Sequence, residues 1–216
     1  GNKVIFELPS NPLVVPQMCL RFNDVENVGV SGRHYTSFCM IGQTCNANIP
    51  GGYWKDRCIE LDFNLLTKVL GINQKEITFV EDVWMGAGAF GYSLEYFVRG
   101  LELGNAVFTE FEGDENNYRI MKNKIIDMGA GLERFSWITM GTPTSYDCCF
   151  GSVIQYMENL TGADKDKELL SNYFKLVTKN FNDMSDSQSN KIKILKQIIA
   201  KEMNISFEQL DKIVSP

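Results

Sequence analysis

Three short segments of this chain carry side chains that could do chemistry. In the first, Arg21-Phe22-Asn23-Asp24 is followed by a glycine-containing loop and then by Arg33-His34-Tyr35-Thr36-Ser37-Phe38. An arginine on one strand of a hairpin and an aromatic on the other can clamp a nucleotide. The guanidinium takes a phosphate with a forked pair of hydrogen bonds, and the ring stacks on the base. In the second, Gly129-Ala130-Gly131-Leu132-Glu133-Arg134 leads into a helix. Its small residues let a ligand approach the backbone, and Arg134 is placed to point back toward the preceding strand. In the third, Arg99-Gly100-Leu101-Glu102-Leu103-Gly104-Asn105 sets a carboxylate and an amide three residues apart.

Each segment also has an ordinary reading. A G-x-G-L-E-R run at a strand–helix junction is commonly a tight turn with a solvated Glu/Arg pair. Phe38, Trp54 and Trp137 are core aromatics by default, and a solitary histidine such as His34 is commonly hydrogen-bonded within a strand. The order and spacing of the three segments together, rather than any one of them, favour chemistry.

The elements that must position these residues follow from periodicity. Met18–Phe22 and Tyr35–Ile41 read as strands flanking a polar loop. Ile77–Val80, Leu94–Arg99, Asn105–Phe111 and Tyr118–Asp127, rich in aromatic and branched residues, read as further strands. Arg57–Leu70 has helical spacing and stops at Gly71, and another helix starts near Gly131. Beyond residue 162 glycine and proline almost vanish, and helices are expected near 165–181, 190–203 and 206–214. Ser206 and Gln209 are spaced as a capping box, and Asn182–Asn190 reads as an exposed connection. The expected fold is α+β, an antiparallel sheet flanked by helices over residues 1–161 with a helical extension over 162–216.

Composition narrows the classes. With 21 Lys+Arg against 27 Asp+Glu, the net charge is −6, which argues against a protein that coats a phosphate backbone. No apolar run is long enough for a membrane-spanning helix. The six cysteines form no C-x-x-C pair and there is one histidine, so no zinc is expected in this segment, and reduced thiols of a cytoplasmic protein are the plain reading.

Taken in order, the motifs resemble those of class II aminoacyl-tRNA synthetases. Arg21, the loop, and His34-Tyr35-Thr36-Ser37-Phe38 match the family's second motif, and Gly129 to Arg134 match the third. The phrases Leu20 to Gly29, Gly32-Arg33-His34, Tyr53-Trp54-Lys55-Asp56 and Gly141 to Asp147 are similar to the alanyl-tRNA synthetases, in their archaeal form. The resemblance implies ATP-dependent activation of alanine to alanyl-adenylate and transfer to the 3′ end of tRNA(Ala). It also implies that the chain is a catalytic-domain fragment. The first motif would precede Asn11, and most of the tRNA-binding surface would lie beyond Pro216. A diverged, non-aminoacylating paralogue serving as a binding or assembly module is the alternative.

On this resemblance Arg21 would hold the α-phosphate and Arg134 the γ-phosphate of ATP. Phe38 would stack on adenine, with Arg33, His34 and Gly131 also at the nucleotide. Asp127 would anchor the ammonium of alanine, with Asn105 and Trp84 lining the amino-acid site, and Glu102 would hold ATP-bound Mg²⁺. The sequence departs from the family at Cys39 (usually Glu), Met128 (usually Thr), Ala87–Tyr92 and Glu110 (usually Gln), several of which are expected to fall around the substrate pocket.

Overall fold

The computed structural model describes residues 9–29, 31–161, 166–181 and 189–214. It divides into two compact units, Gly1–Met18 with Cys39–Leu132, and Cys19–Phe38 with Glu133–Pro216.

The first unit is built on a six-stranded sheet. Strands β1 (Leu13–Leu20), β2 (Ser37–Asn46), β3 (Ile77–Gly86), β4 (Ala89–Val98), β5 (Leu101–Asp114) and β6 (Asn117–Gly131) lie in the order β1-β2-β6-β5-β4-β3. The pairings β2–β6, β3–β4, β4–β5 and β5–β6 are all antiparallel. The α+β expectation holds, but the strands are longer than alternation alone suggests. Glycines inside them, such as Gly91, interrupt the apolar pattern without ending the ladder.

Helix α1 (Lys55–Asn64) covers one face of this sheet, continues as a π-helical turn over Leu65–Val69, and ends at Gly71 with φ +69°. Phe63 on α1 meets Phe79 on β3, and Phe79 meets Tyr96 on β4, each pair with ring centroids 6.5 Å apart. Cys58, Leu66, Tyr96, Phe108, Ile126 and Met128 are buried between helix and sheet. Each fully buried side chain of this size contributes about 1.5–3 kcal/mol of transfer free energy. Asp62 is buried on the same helix face and accepts a hydrogen bond from the Cys58 thiol at 3.6 Å. Burial raises its carboxyl to about 7, against the Cys58 bond, which acts to lower it.

The second unit holds the loop between β1 and β2 and the remaining helices: α2 (Leu132–Met140, continuing from the end of β6), α3 (Ser145–Cys149), α4 (Gly151–Thr161), α5 (Lys167–Phe181), α6 (Ser189–Glu202) and α7 (Phe207–Val214). The last three match the spans expected from helical periodicity, whereas α3 and α4 were not anticipated. Leu170, Tyr173, Phe174, Val177, Leu195, Ile199, Ala200 and Leu210 close a core among α5, α6 and α7. The Ser206–Gln209 capping box is present, each residue's backbone N–H donating to the other's side chain at 3.1 Å. The expected connection at 182–190 lies, up to residue 188, outside the described residues.

Candidate functional site

The residues expected to do chemistry fall in both units, and each unit presents its own set. In the first unit, strand register decides which side chains share a face. Asn105 on β5 pairs with Glu95 on β4 and with Gly129 on β6. Two positions on, Val107 pairs with Ser93 and with Asp127. Paired residues point to the same side of a sheet, so Glu95, Asn105 and Asp127 share one face. Asp82 and Trp84 join it through their pairing with Ser93 and Gly91, and Glu102 through its pairing with Phe97. This is the face opposite α1; Asp127 is exposed on it, whereas Ser93 and Val107 are buried.

Asn105 and Asp127 stand diagonally across the β5–β6 pair, about 7–8 Å apart by the usual sheet spacing. Gly129 has no side chain opposite Asn105, and the Met40 side chain lies over it. The Asn105 Oδ1 is buried and finds no hydrogen-bond partner among the described residues. Buried amide oxygens rarely stay unpaired, so an orphan here fits a ligand-binding position. Asp127 keeps access to solvent, yet the surrounding protein is dense enough that burial raises its carboxyl above the ordinary aspartate range. Burial also raises Glu95, and the neighbouring carboxylates of Glu102 and Asp82 add to it. A face that crowds carboxylates in this way suits an ammonium or a hard cation with oxygen ligands.

The second unit gathers cations instead. The loop from Asp24 to Thr36 begins where the Arg21 N–H donates to the Thr36 carbonyl at 2.9 Å, which continues the hairpin as expected. His34 lies half-buried within it. Burial, then the charges of Arg33 and Arg134, lower its pKa to about 4. Arg21 adds to that effect and Asp24 opposes it. Three guanidiniums therefore act on one imidazole, adding to the burial that keeps it neutral at pH 7. His34 Nδ1 is hydrogen-bonded to Ser31 Oγ. The Ser31 hydroxyl donates to the Asn27 carbonyl at 3.1 Å and accepts from the Arg33 N–H at 3.3 Å. The Ser31 hydroxyl thus ties the imidazole to the loop backbone at Asn27 and Arg33. Such a cluster is a ready site for a polyanion.

Helix α3 braces this loop. Ser145 donates to the Gly32 carbonyl through its N–H at 2.9 Å and its hydroxyl at 2.6 Å. The Tyr146 hydroxyl donates to the His34 carbonyl at 2.6 Å and accepts from the Gly29 N–H at 2.9 Å. Tyr35 donates to Ser145 Oγ at 2.8 Å. Gly32, at φ +72°, has no room for a side chain, because a Cβ would stand 2.7 Å from the Phe174 ring.

The structure thus groups Glu102, Asn105, Asp127 and Trp84 on one sheet face, and Arg21, Arg33, His34 and Arg134 around one loop. Phe38 lies half-buried on β2, and Gly131 ends β6 as α2 begins. Sequence reading did not single out Asp82, Glu95, Ser31 or Tyr146. The carboxylates are placed only by register and the others only by the long-range braces, neither of which leaves a local signal.

One expectation is corrected. Glu110 and Met128 do not lie on the face of Asn105 and Asp127. Met128 is buried on the α1 face, where it accepts from the Tyr96 hydroxyl at 3.4 Å. Glu110 accepts from Lys55 at 3.2 Å and from Lys124 at 2.8 Å. Burial alone would raise its carboxyl, but the hydrogen bonds from Lys124 and Lys55 outweigh it and the net shift is downward. Lys55 also lies over the Tyr92 ring at 4.6 Å, with Trp54 and Phe108 alongside. Strand alternation turns both side chains away from the face of Asn105 and Asp127.

The sequence profile described as tRNA synthetases class II (A) matches residues 3–206. The chain belongs to this family. Among curated relatives of this class II synthetase chain, the alanine–tRNA ligase of Nitrosopumilus maritimus is 54% identical over 216 residues, covering 100% of this chain and 24% of the relative. That of Cenarchaeum symbiosum is 54% identical over 218 residues, again 100% of this chain and 24% of the relative. The chain thus spans about a quarter of the length of the relatives it matches. Among solved structures, pyrrolysyl-tRNA synthetase from Desulfitobacterium hafniense aligns at a TM-score of 0.43 with 17% identity, over 66% of this chain and 47% of that one.

Proposed function

We propose that this chain carries the amino-acid-activating chemistry of an alanine–tRNA ligase: ATP and alanine form alanyl-adenylate, and the alanyl group passes to the 3′ end of tRNA(Ala). The observation that supports it best is the set of three arginines around a neutral His34, since adenylate formation is in-line attack of a carboxylate on the α-phosphorus and needs cations more than a protein nucleophile. In this reading Arg21 holds the α-phosphate, Arg134 the γ-phosphate, and Phe38 stacks on adenine. Arg33, His34 and Gly131 complete the nucleotide contacts. Asp127 takes the ammonium of alanine, Asn105 supplies its orphan amide oxygen to the same substrate, and Trp84 lines the amino-acid side.

Mg²⁺ fits the carboxylates of this sheet face, where burial and then the neighbouring Glu102 and Asp82 raise Glu95. Glu102 would hold the ion, with substrate phosphates supplying other ligands, as magnesium usually requires. When bound, it neutralises phosphate charge. The naming of its relatives as alanine–tRNA ligases supports alanine as the amino acid.

Alanine-dependent ATP–pyrophosphate exchange tests this reading. Arg21→Ala and Arg134→Ala should each lower exchange by about a hundredfold or more, the usual cost of losing one transition-state charge contact. Exchange that survives both substitutions would overturn the assigned roles, and ATP binding without any exchange would favour the binding-module alternative.

A further inference from the structure

The adjacent thiols Cys148 and Cys149 close helix α3, outside every role assigned above. Both are free and half-buried, with their sulfur atoms 3.7 Å apart. The Cys148 thiol donates to the Ser145 carbonyl at 3.1 Å. This pair is badly shaped for a disulfide. Neighbouring Cα atoms are held about 3.8 Å apart by the trans peptide, short of the roughly 4.4–6.8 Å that disulfides span, and the sulfurs would have to close to about 2.05 Å. The same 3.7 Å suits a single bridging atom. An atom with bonds to sulfur of about 2.3 Å and a near-tetrahedral angle sets two thiolates roughly 3.7 Å apart.

The ligand inventory narrows what that atom is. Among the described residues no three His, Cys, Asp or Glu side chains gather to hold a metal ion, so a tetrahedral metal would lack protein ligands. A trivalent metalloid needs only two thiols and keeps a group of its own. We propose that Cys148 and Cys149 form a bidentate dithiol site for trivalent arsenicals, and that its occupancy is transmitted through α3 to the His34 loop. The reaction is a condensation with no change of oxidation state: two As–S bonds form, two As–O bonds break, and each thiol proton leaves with a hydroxyl as water. Burial raises the Cys148 thiol to about 11, with a further push from Cys149. That keeps it protonated at neutral pH and slow toward oxidants, which attack thiolates.

Transmission follows from the bracing. Ser145 and Tyr146, on the same single turn of helix, hold the Gly32 and His34 carbonyls. A change of side-chain torsion at Cys148 therefore acts on Ser145, whose carbonyl the thiol now caps. The molecule has one histidine, so its ring resonances report on this loop alone.

Phenylarsine oxide is the probe, added at one equivalent to reduced protein. The expected result is one adduct per chain that resists monothiols, is removed by a dithiol, and maps by peptide mass analysis to the segment holding Cys148 and Cys149. Cys148→Ser and Cys149→Ser should each abolish the monothiol-resistant adduct, and Cys39→Ser should leave it intact. The His34 ring signals should shift on loading in the wild type. Mapping of the wild-type adduct to Cys19 or Cys39 would overturn the site even if the serine variants failed to fold. An adduct at Cys148 and Cys149 with unmoved His34 signals would overturn the transmission.

Discussion

Gly91 and Gly129 both lie inside strands, but their surroundings differ. A Cβ on Gly91 would stand 1.9 Å from the Phe108 carbonyl oxygen and 2.7 Å from its carbon. That is backbone of the neighbouring strand at a register shift, and it cannot yield without parting β4 from β5. A Cβ on Gly129 would meet the Met40 sulfur at 2.6 Å, the end of a flexible side chain that can rotate away. Gly91→Ala should therefore cost about 3 kcal/mol or more and Gly129→Ala about 1 kcal/mol, at the two ends of the usual overpacking range. Urea denaturation of the two variants measures this, and equal costs would show that β4 and β5 are free to move apart. At the same scale, the chemistry of His34 was only half legible. Its neighbours in sequence suggested a nucleotide loop, but its lowered pKa comes first from burial and then from Arg33 and from Arg134, a hundred positions away.

The β3–β4 hairpin shows an element whose sequence disagrees with its geometry. Gly86 pairs with Ala89, so Ala87 and Gly88 form a two-residue turn, with φ of +52° and +76°. Both positions need the left-handed region, as a type I′ turn does, and alanine tolerates it poorly. Ala87→Asn should stabilise the protein by about 0.5–1 kcal/mol, since asparagine followed by glycine is the preferred pair for this turn. A thermal melt that falls rather than rises would count against the turn assignment. Elements were legible from sequence where one physical rule dominated. Helices α5, α6 and α7 follow an uninterrupted 3.6-residue apolar stripe, and the Ser206 cap follows from its spacing to Gln209. Strands were cut short where the rules compete. Pro16 and the glycines of β4 and β6 disfavour strand locally, while the ladder carries them through. Gly129–Gly131 read as a turn and is the end of β6. Helix α3 follows a phrase whose Gly141 and Pro143 hid the helical signal.

For the molecule as a whole, half-buried His34 and buried Asp62 pull stability in opposite directions with pH. His34 has a folded pKa of about 4, below the ordinary 6.5, so the unfolded chain binds the proton first as pH falls. Its contribution is fully present above about 6.5 and is lost as pH drops toward 4. Asp62 has a folded pKa of about 7, above the ordinary 3.8, so the folded chain keeps its proton longer as pH rises. Its contribution is fully present below about 3.8 and is lost as pH climbs through 7. Between about pH 4 and 6.5 the two slopes have opposite sign and offset one another. Removing either group should expose the other. Relative to wild type, Asp62→Asn should gain stability as pH rises, reaching on the order of 2 kcal/mol by about pH 8. The full shift would give more, but a buried amide must find a partner for its N–H. His34→Gln should instead gain relative to wild type as pH falls below about 6, and be level with or below it near pH 8, where the imidazole is neutral in both states. Urea midpoints of the three proteins at about pH 4.5, 6 and 8 test this. Parallel curves for Asp62→Asn and wild type would mean that Asp62 reaches solvent and titrates normally, and the packing of α1 on the sheet would then need revision.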